Sequence, residues 1–171
     1  GIVGMGGAAF PSAVKLNLGQ QRRIETLIIN GGECEPYLTC DDRLMQEQAE
    51  DICLGIRLMR RAIGADRALV AIESNKPRAI KAMEDASRSS KEVAIVPVPT
   101  RYPMGSEKQM IQALTGREIP AGRRSADIGV VVHNVATAHA IYEAVHLSRP
   151  ITERVLTVSG PGAAVRSVSN R

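Results

Sequence analysis

Five short runs rich in Val, Ile and Leu punctuate this chain: ETLIIN (25–30), RALVAIE (67–73), EVAIVPV (92–98), DIGVVVHN (127–134) and RVLTVSG (154–160). Stretches with helical spacing lie between them. In residues 41–61, Leu44, Met45, Ala49, Ile52, Ile56 and Met59 recur at intervals that line one face of a helix. Ser74 or Asn75 is expected to cap a helix that carries Pro77 in its first turn and runs to about Ser87. Residues 106–116 read as a short helix stopped by Gly116, and 136–147 as another. Pro97 places the third strand at a sheet edge, or ends it there. Strands alternating with helices of this length imply an α/β layer fold with a mainly parallel sheet.

Open α/β sheets bind ligands beyond the carboxyl ends of their strands, so the residues after each run matter most. The first run leads into Asn30-Gly31-Gly32-Glu33-Cys34-Glu35-Pro36-Tyr37. Two adjacent glycines let backbone approach a ligand, and two carboxylates follow; the same residues also suit a solvated turn. The third run leads into Tyr102-Pro103-Met104-Gly105-Ser106-Glu107. Gly105 and Ser106 would present free N–H groups at a helix start, as an anion site or as an ordinary Ser cap with Glu107 in the first turn. Tyr102 could stack on a flat ring or cover the sheet edge. The fourth run ends at His133-Asn134, with Thr137 close behind. Asn and Thr could bind a ligand or cap the next helix, and a lone His there reads as structural.

Composition removes several function classes. At 44% hydrophobic, 171 residues suffice for one domain with a real core, and 2% aromatics make that core aliphatic. The balance of 22 basic against 18 acidic residues is only mildly positive, with no basic run interleaved with aromatics, so no nucleic-acid partner is expected. Cys34, Cys40 and Cys53 are odd in number and lack C-x-x-C spacing, which argues against disulfides, structural zinc or an iron–sulfur ligand set and suits a reducing compartment. His139 and His146 stand seven residues apart on one predicted helix, and no metal is expected. No apolar stretch approaches the ~18 residues of a membrane span. Residues 1–160 are read as one domain and 161–171, a polar tail, as leading to a region downstream.

The opening segment GIVGMGGAAFPSAVK puts glycine at positions 1, 4, 6 and 7. Gly4-x-Gly6-x-x-Ala9 fits the dinucleotide pattern G-x-G-x-x-G/A in letters but not in setting. Only three residues precede Gly4, and Pro11 stands where the helix should already run. The segment is expected to form a longer glycine loop braced by Phe10-Pro11, with Lys15 beyond.

Four motifs in order, GMGGAAFPSAVKL, NGGECEPYLTCDDR, YPMGSEKQ and HNVATA, resemble the NADH- and FMN-binding module of the respiratory complex I flavoprotein subunit. They resemble still more closely the C subunit of Rnf (Rsx) electron-transport complexes. The resemblance covers nearly the whole chain and implies a Rossmann-like layered domain of the complex I flavoprotein type. It implies that FMN lies on the glycine loop, with NADH stacked over it. Gly4, Gly6 and Gly7 would lie against the flavin and its phosphate, with Lys15 paired to the phosphate. Asn30 and Glu33 would contact the ring or ribityl chain. Glu35 would touch the nicotinamide side of NADH and Phe10 stack on it. Tyr102, Gly105 and Glu107 would complete the ring's far wall, and Asn134 and Thr137 would close around the ribityl-phosphate end. Two positions depart from the complex I pattern: Gly32 stands in place of an acid and His133 in place of Asn.

The implied activity is hydride transfer between NAD(H) and FMN, with no protein general base. In the assembled complex it would be coupled to a ferredoxin-type carrier and ion translocation. The 4Fe-4S clusters would belong to the downstream region, the partners would be other members of the complex, and the location would be the cytoplasmic face of the bacterial inner membrane, as a peripheral protein. Two further readings stay open: a docking domain with a degenerate flavin site, which the Gly32 departure favours, and a related subunit of a cobalamin reductase.

Overall fold

The computed structural model describes residues 1–160 and the backbone of Arg166–Val168. Aliphatic side chains alternate between two faces in the central strands, and this sets the architecture. In β1 (Thr26–Gly31), Leu27 and Ile29 join a large cluster on one face while Ile28 joins a smaller one on the other. β2 (Arg67–Glu73) sends Ala68, Val70 and Ile72 into the large cluster and Ala71 into the small one. A strand so buried on both faces reads as a continuous apolar run, as parallel strands do.

All pairings in this sheet are parallel, in the order β3-β2-β1-β4, with β3 at Val93–Val98 and β4 at Val130–Asn134. Ile28 stands opposite Leu69 on one side and Val132 on the other. Pro97 does lie on an edge strand, where its missing N–H costs no ladder bond. Helices α3 (Cys40–Glu47), α4 (Ala49–Ile63), α5 (Pro77–Ser87) and α7 (Val135–His146) supply the large cluster, through residues such as Met45, Ile52, Ile56, Met59, Met83 and Ile141. The small cluster takes Met110 and Ile111 from α6 (Glu107–Thr115), together with Met104.

The chain runs β1, β2, β3 toward one edge and then returns to place β4 on β1's free side. The order therefore reverses between β1 and β4, and that switch point is where doubly wound sheets open a crevice.

Four expectations need correction. The helix over 41–61 is two helices, because the backbone leaves helical geometry at Gln48 (φ −128°, ψ 33°). The cap before Pro77 is Lys76, without a side-chain cap bond; Ser74 and Asn75 instead meet the Thr100 hydroxyl. Residues 125–128 form a 3-10 turn, so the fourth strand starts at Val130. The run 154–160 holds only a short strand, β5 (Leu156–Val158), which pairs antiparallel with β6 (Arg166–Val168) apart from the main sheet. That pairing draws three residues of the expected tail into structure. The rest of 161–171 lies outside the described residues. Among the described residues, no helix is long and apolar enough to cross a membrane.

Candidate functional site

The glycine loop is closed at its base by backbone. Gly4 N donates to Phe10 O at 2.7 Å, Ser12 N donates to Ile2 O at 2.9 Å, and Val3 bridges Pro11. Phe10-Pro11 thus braces the loop, and α1 (Ser12–Leu16) starts directly after Pro11. α2 (Leu18–Gln21) follows it. At the loop's far end Met5 N donates to the Thr137 hydroxyl at 2.9 Å, which ties the loop to the first turn of α7. Gly7 has φ of 105°, a left-handed value that favours glycine, so it serves the turn.

Held this way, the loop faces the carboxyl ends of β1 and β4 across a cleft of about 290 Å³. Gly4, Gly6, Phe10, Lys15, Asn30, Gly105, Glu107 and Asn134 line it, all expected from the sequence, together with Ala8, Val132 and His133. The glycines are fitted to their places. A Cβ on Gly6 would come within 3.3 Å of the Asn134 Cβ, and one on Gly105 within 3.0 Å of Cys34 Sγ.

The polar groups of this cleft are mutually oriented. Asn30 Nδ2 donates to Gly105 O at 2.8 Å, and its Oδ1 accepts from Gly32 N at 2.9 Å, so one side chain fixes two loops. Asn134 Oδ1 accepts from Ala136 N and caps α7, while its Nδ2 donates to Asp41 Oδ2 at 2.6 Å. Lys15 Nζ donates to Val132 O at 2.8 Å and lies 6.0 Å from the centroid of the Phe10 ring. Glu107 accepts from the Ser125 hydroxyl at 2.6 Å.

His133 is the residue that sequence reasoning set aside. It is buried, it lines the cleft, and its Nε2 has no hydrogen-bond partner. Burial, helped by the charge of Lys15, lowers its pKa to about 3, so the imidazole is neutral near pH 7 and can accept or donate according to tautomer. Its signal in the sequence was its place at the end of a strand beside Asn134.

Glu33, Glu35 and Tyr102 line a second cleft, of about 350 Å³, over the ends of β2 and β3. Glu35 and Tyr102 are exposed. Glu33 is buried, and its carboxylate accepts from Asp41 N at 2.8 Å and Asp42 N at 3.0 Å, capping α3 from a distance. Lys76 Nζ stands 3.8 Å from Glu33 and 3.8 Å from Asp42. Thr137 is likewise buried, its hydroxyl taken by Met5. Glu33, Cys40 and Asp41 bring possible metal ligands within 4.8 Å of one another. Their oxygens are already engaged by the α3 amides and by Asn134, so the cluster is a hydrogen-bonded cap. Asp41 is raised by burial to about 6, with the Asn134 amide holding it lower than burial alone would.

The Gly32 departure has a local cause. A Cβ there would sit 3.2 Å from Asn30 Oδ1 and 3.4 Å from Met110 Cε. The bare backbone lets Asn30 accept from Gly32 N while holding the Gly105 loop.

Comparisons with known proteins identify the family of the chain. A family model described as the Nuo51 FMN-binding domain matches residues 1–143. The C subunit of the ion-translocating oxidoreductase complex of Rhodobacter capsulatus is 60% identical over 163 residues, covering 95% of this chain and 31% of that protein. Its counterpart in Haemophilus influenzae strain PittEE is 48% identical over 160 residues, covering 94% and 24%. These likenesses bear out the resemblance read from the four motifs. The chain spans less than a third of the length of these curated relatives. Among solved structures, an NAD+-reducing NiFe hydrogenase in the H2-reduced state matches with a TM-score of 0.73 at 28% identity, over 85% of this chain and 29% of that one.

Proposed function

The chain belongs to the Nuo51 FMN-binding domain family, and from that premise we propose that it is the FMN- and NAD(H)-binding module of an Rnf-type electron-transport complex. The observation that carries this reading is convergence. The glycine loop, Asn30, the Gly105 loop and the His133-Asn134 corner come from four distant segments and share one cleft at the sheet's switch point.

The residues fit the cofactor. Gly4, Gly6 and Gly105 line the cleft, where bare peptide can come close to a flat ring and a phosphate. Lys15 is the cation of the cleft and can exchange its bond to Val132 O for one to a phosphate. The unpartnered Nε2 of neutral His133 is a buried polar atom left for a ligand to satisfy. Bound FMN would supply two-electron hydride chemistry. The chain supplies position: Asn30 fixes the Gly32 and Gly105 loops against each other, and Glu107 lines the same cleft. No general base is assigned to the chain, since the hydride chemistry belongs to the flavin, and Glu107 already accepts a hydroxyl bond from Ser125.

NAD(H) is the second ligand in this reading, on the side of Glu35 and Tyr102. The NAD+-reducing hydrogenase of like fold supports it. Coupling to ferredoxin-type carriers and ion translocation, 4Fe-4S clusters in a downstream region, association with other members of the complex, and a peripheral place on the cytoplasmic face of the inner membrane complete the proposal. The relatives named as subunits of an ion-translocating oxidoreductase complex support the ion translocation and the association with other subunits.

Titration of the protein with FMN, followed by flavin fluorescence, tests the core of it. Saturable quenching is expected, and NADH added without air should then bleach the bound flavin's visible absorbance. Absence of flavin uptake at high micromolar concentration would leave the docking role instead.

A further inference from the structure

One peptide bond separates the cofactor cleft from a smaller cavity behind the glycine loop. Met5 lines that cavity, of about 130 Å³, together with Asp41, His139 and Arg154. The next residue, Gly6, lines the cofactor cleft. Met5 is held at both of its backbone groups. Its N–H donates to the Thr137 hydroxyl at 2.9 Å, and its carbonyl accepts from Arg154 Nη2 at 2.6 Å. The Met5-Gly6 bond is trans and planar, so the Met5 C=O and the Gly6 N–H point in opposite directions. With the carbonyl turned to Arg154, the Gly6 N–H is turned away from it. That N–H donates to no group among the described residues.

Glycine at positions 6 and 7 gives this peptide no steric direction of its own. Its orientation is set by what bonds its carbonyl, and that is Arg154. The arginine comes from beyond the family match, which ends at residue 143. The chain just after it is anchored: Val155 packs against the large core cluster, and the Thr157 hydroxyl accepts from Thr39 N at 3.0 Å, at the start of α3. The Arg154 charge also reaches Asp41, the acceptor for Asn134 Nδ2, and holds that carboxyl lower than burial alone would. Arg154 thus meets two walls of the cofactor cleft from behind. Its side chain is exposed, so it adds little to the core.

We propose that Arg154 is a positioning residue for FMN. By taking the Met5 carbonyl it holds the Met5-Gly6 peptide with the Gly6 N–H presented to the cleft, where that N–H donates to an oxygen of the cofactor. This rests on the FMN reading and extends it to a residue outside the matched domain. Arg154 does not line the cleft and acts only through the peptide.

Fluorescence titration of the intact protein that carries this chain, stripped of flavin, tests the assignment with FMN and riboflavin as probes. Arg154→Met keeps the length of the stem and removes the donor. FMN affinity should fall by about tenfold, with little change in the thermal midpoint. Arg154→Lys restores one donor and should recover most of the loss. Arg149→Met removes an equal charge from another exposed position and should leave affinity unchanged. The ratio of parent to Arg154→Met should persist at about 1 M salt, where separated charges are screened. A loss for FMN alone supports donation to the phosphate, and a loss shared by riboflavin supports donation to the ring or ribityl chain. Unchanged FMN affinity in Arg154→Met, a loss matched by Arg149→Met, or a ratio that vanishes in salt would overturn the assignment. If the unaltered protein takes up no FMN, the cofactor reading itself falls, and with it this one.

Discussion

The two clefts at the carboxyl edge of the sheet flank the end of β1 and are built from opposite chemistry. The one over β1 and β4 is walled by bare backbone, a neutral imidazole and the ammonium of Lys15, with Glu107 at its margin. The one over β2 and β3 holds three carboxylates, Glu33, Glu35 and Glu73, with Lys76 and Arg101. One suits a phosphate and a flat ring, and the other suits hydroxyl and amide donors. Strand order produces the difference. The reversal between β1 and β4 leaves a gap that the glycine loop can enter, whereas β2 and β3 are sequential neighbours whose loops pack side by side.

The largest expected effect would break the first cleft alone. Gly6→Val places methyl groups where even a Cβ meets Asn134 at 3.3 Å. FMN affinity should fall about a hundredfold, equivalent to roughly 2.7 kcal/mol, while the thermal midpoint moves little because Gly6 lies outside both core clusters. Flavin fluorescence titration and a melting curve on the same protein check it. Retained FMN binding would mean that the glycine loop does not face the cofactor.

Lys15→Ala sharpens the assignment of charge. FMN affinity should fall by about ten- to thirtyfold, as expected for one charge-assisted contact, whereas riboflavin, which lacks the phosphate, should bind both proteins equally. Equal losses for FMN and riboflavin would place Lys15 on the ring instead.

Glu33→Gln probes the other cleft. Its carboxylate is already committed to the Asp41 and Asp42 amides and to Lys76, so stability should fall by about 1–2 kcal/mol, as for a lost helix cap. FMN affinity should stay in place. A variant of unchanged stability with weakened FMN binding would return Glu33 to the cofactor.

Glu33 also marks where sequence reading stopped. The strand runs, the parallel sheet and the edge position of Pro97 were legible because apolar periodicity and proline placement are local signals, whereas the eight expected residues that line the cleft were named together only through the resemblance of four motifs. The destination of a polar side chain is not local. Glu33 and Thr137 stand within the right motifs, yet long-range folding turns their oxygens toward the start of α3 and toward Met5. His133 looks ordinary at the end of an apolar run, and only burial without a partner sets it apart. The run 154–160 misled for the opposite reason. It alternates like a strand, but Leu156 and Val158 are exposed, 54% and 58%, so nothing draws it into the main sheet.

The last effect is a slope and not a single loss, and it concerns two groups joined through the His133-Asn134 corner, whose titrations oppose each other. Asp41 is raised from 3.8 to about 6 in the fold. The folded chain therefore binds that proton more tightly than the unfolded one, and the stabilisation is present below pH 3.8 and lost as pH rises to about 6. His133 is lowered from 6.5 to about 3, so the unfolded chain binds that proton more tightly and stability is lost as pH falls from 6.5 toward 3. Between about pH 4 and 6 the two slopes have opposite signs, each at most about 1.4 kcal/mol per pH unit. His133→Asn leaves the Asp41 slope uncompensated, so relative to the parent its stability should climb on acidification across that window. Asp41→Asn leaves the His133 slope, and its stability relative to the parent should decline. Urea midpoints for the three proteins at several pH values across the window, with all other carboxylates common to them, isolate the difference. Three parallel curves would mean that neither group is as desolvated as its place behind the cofactor cleft requires.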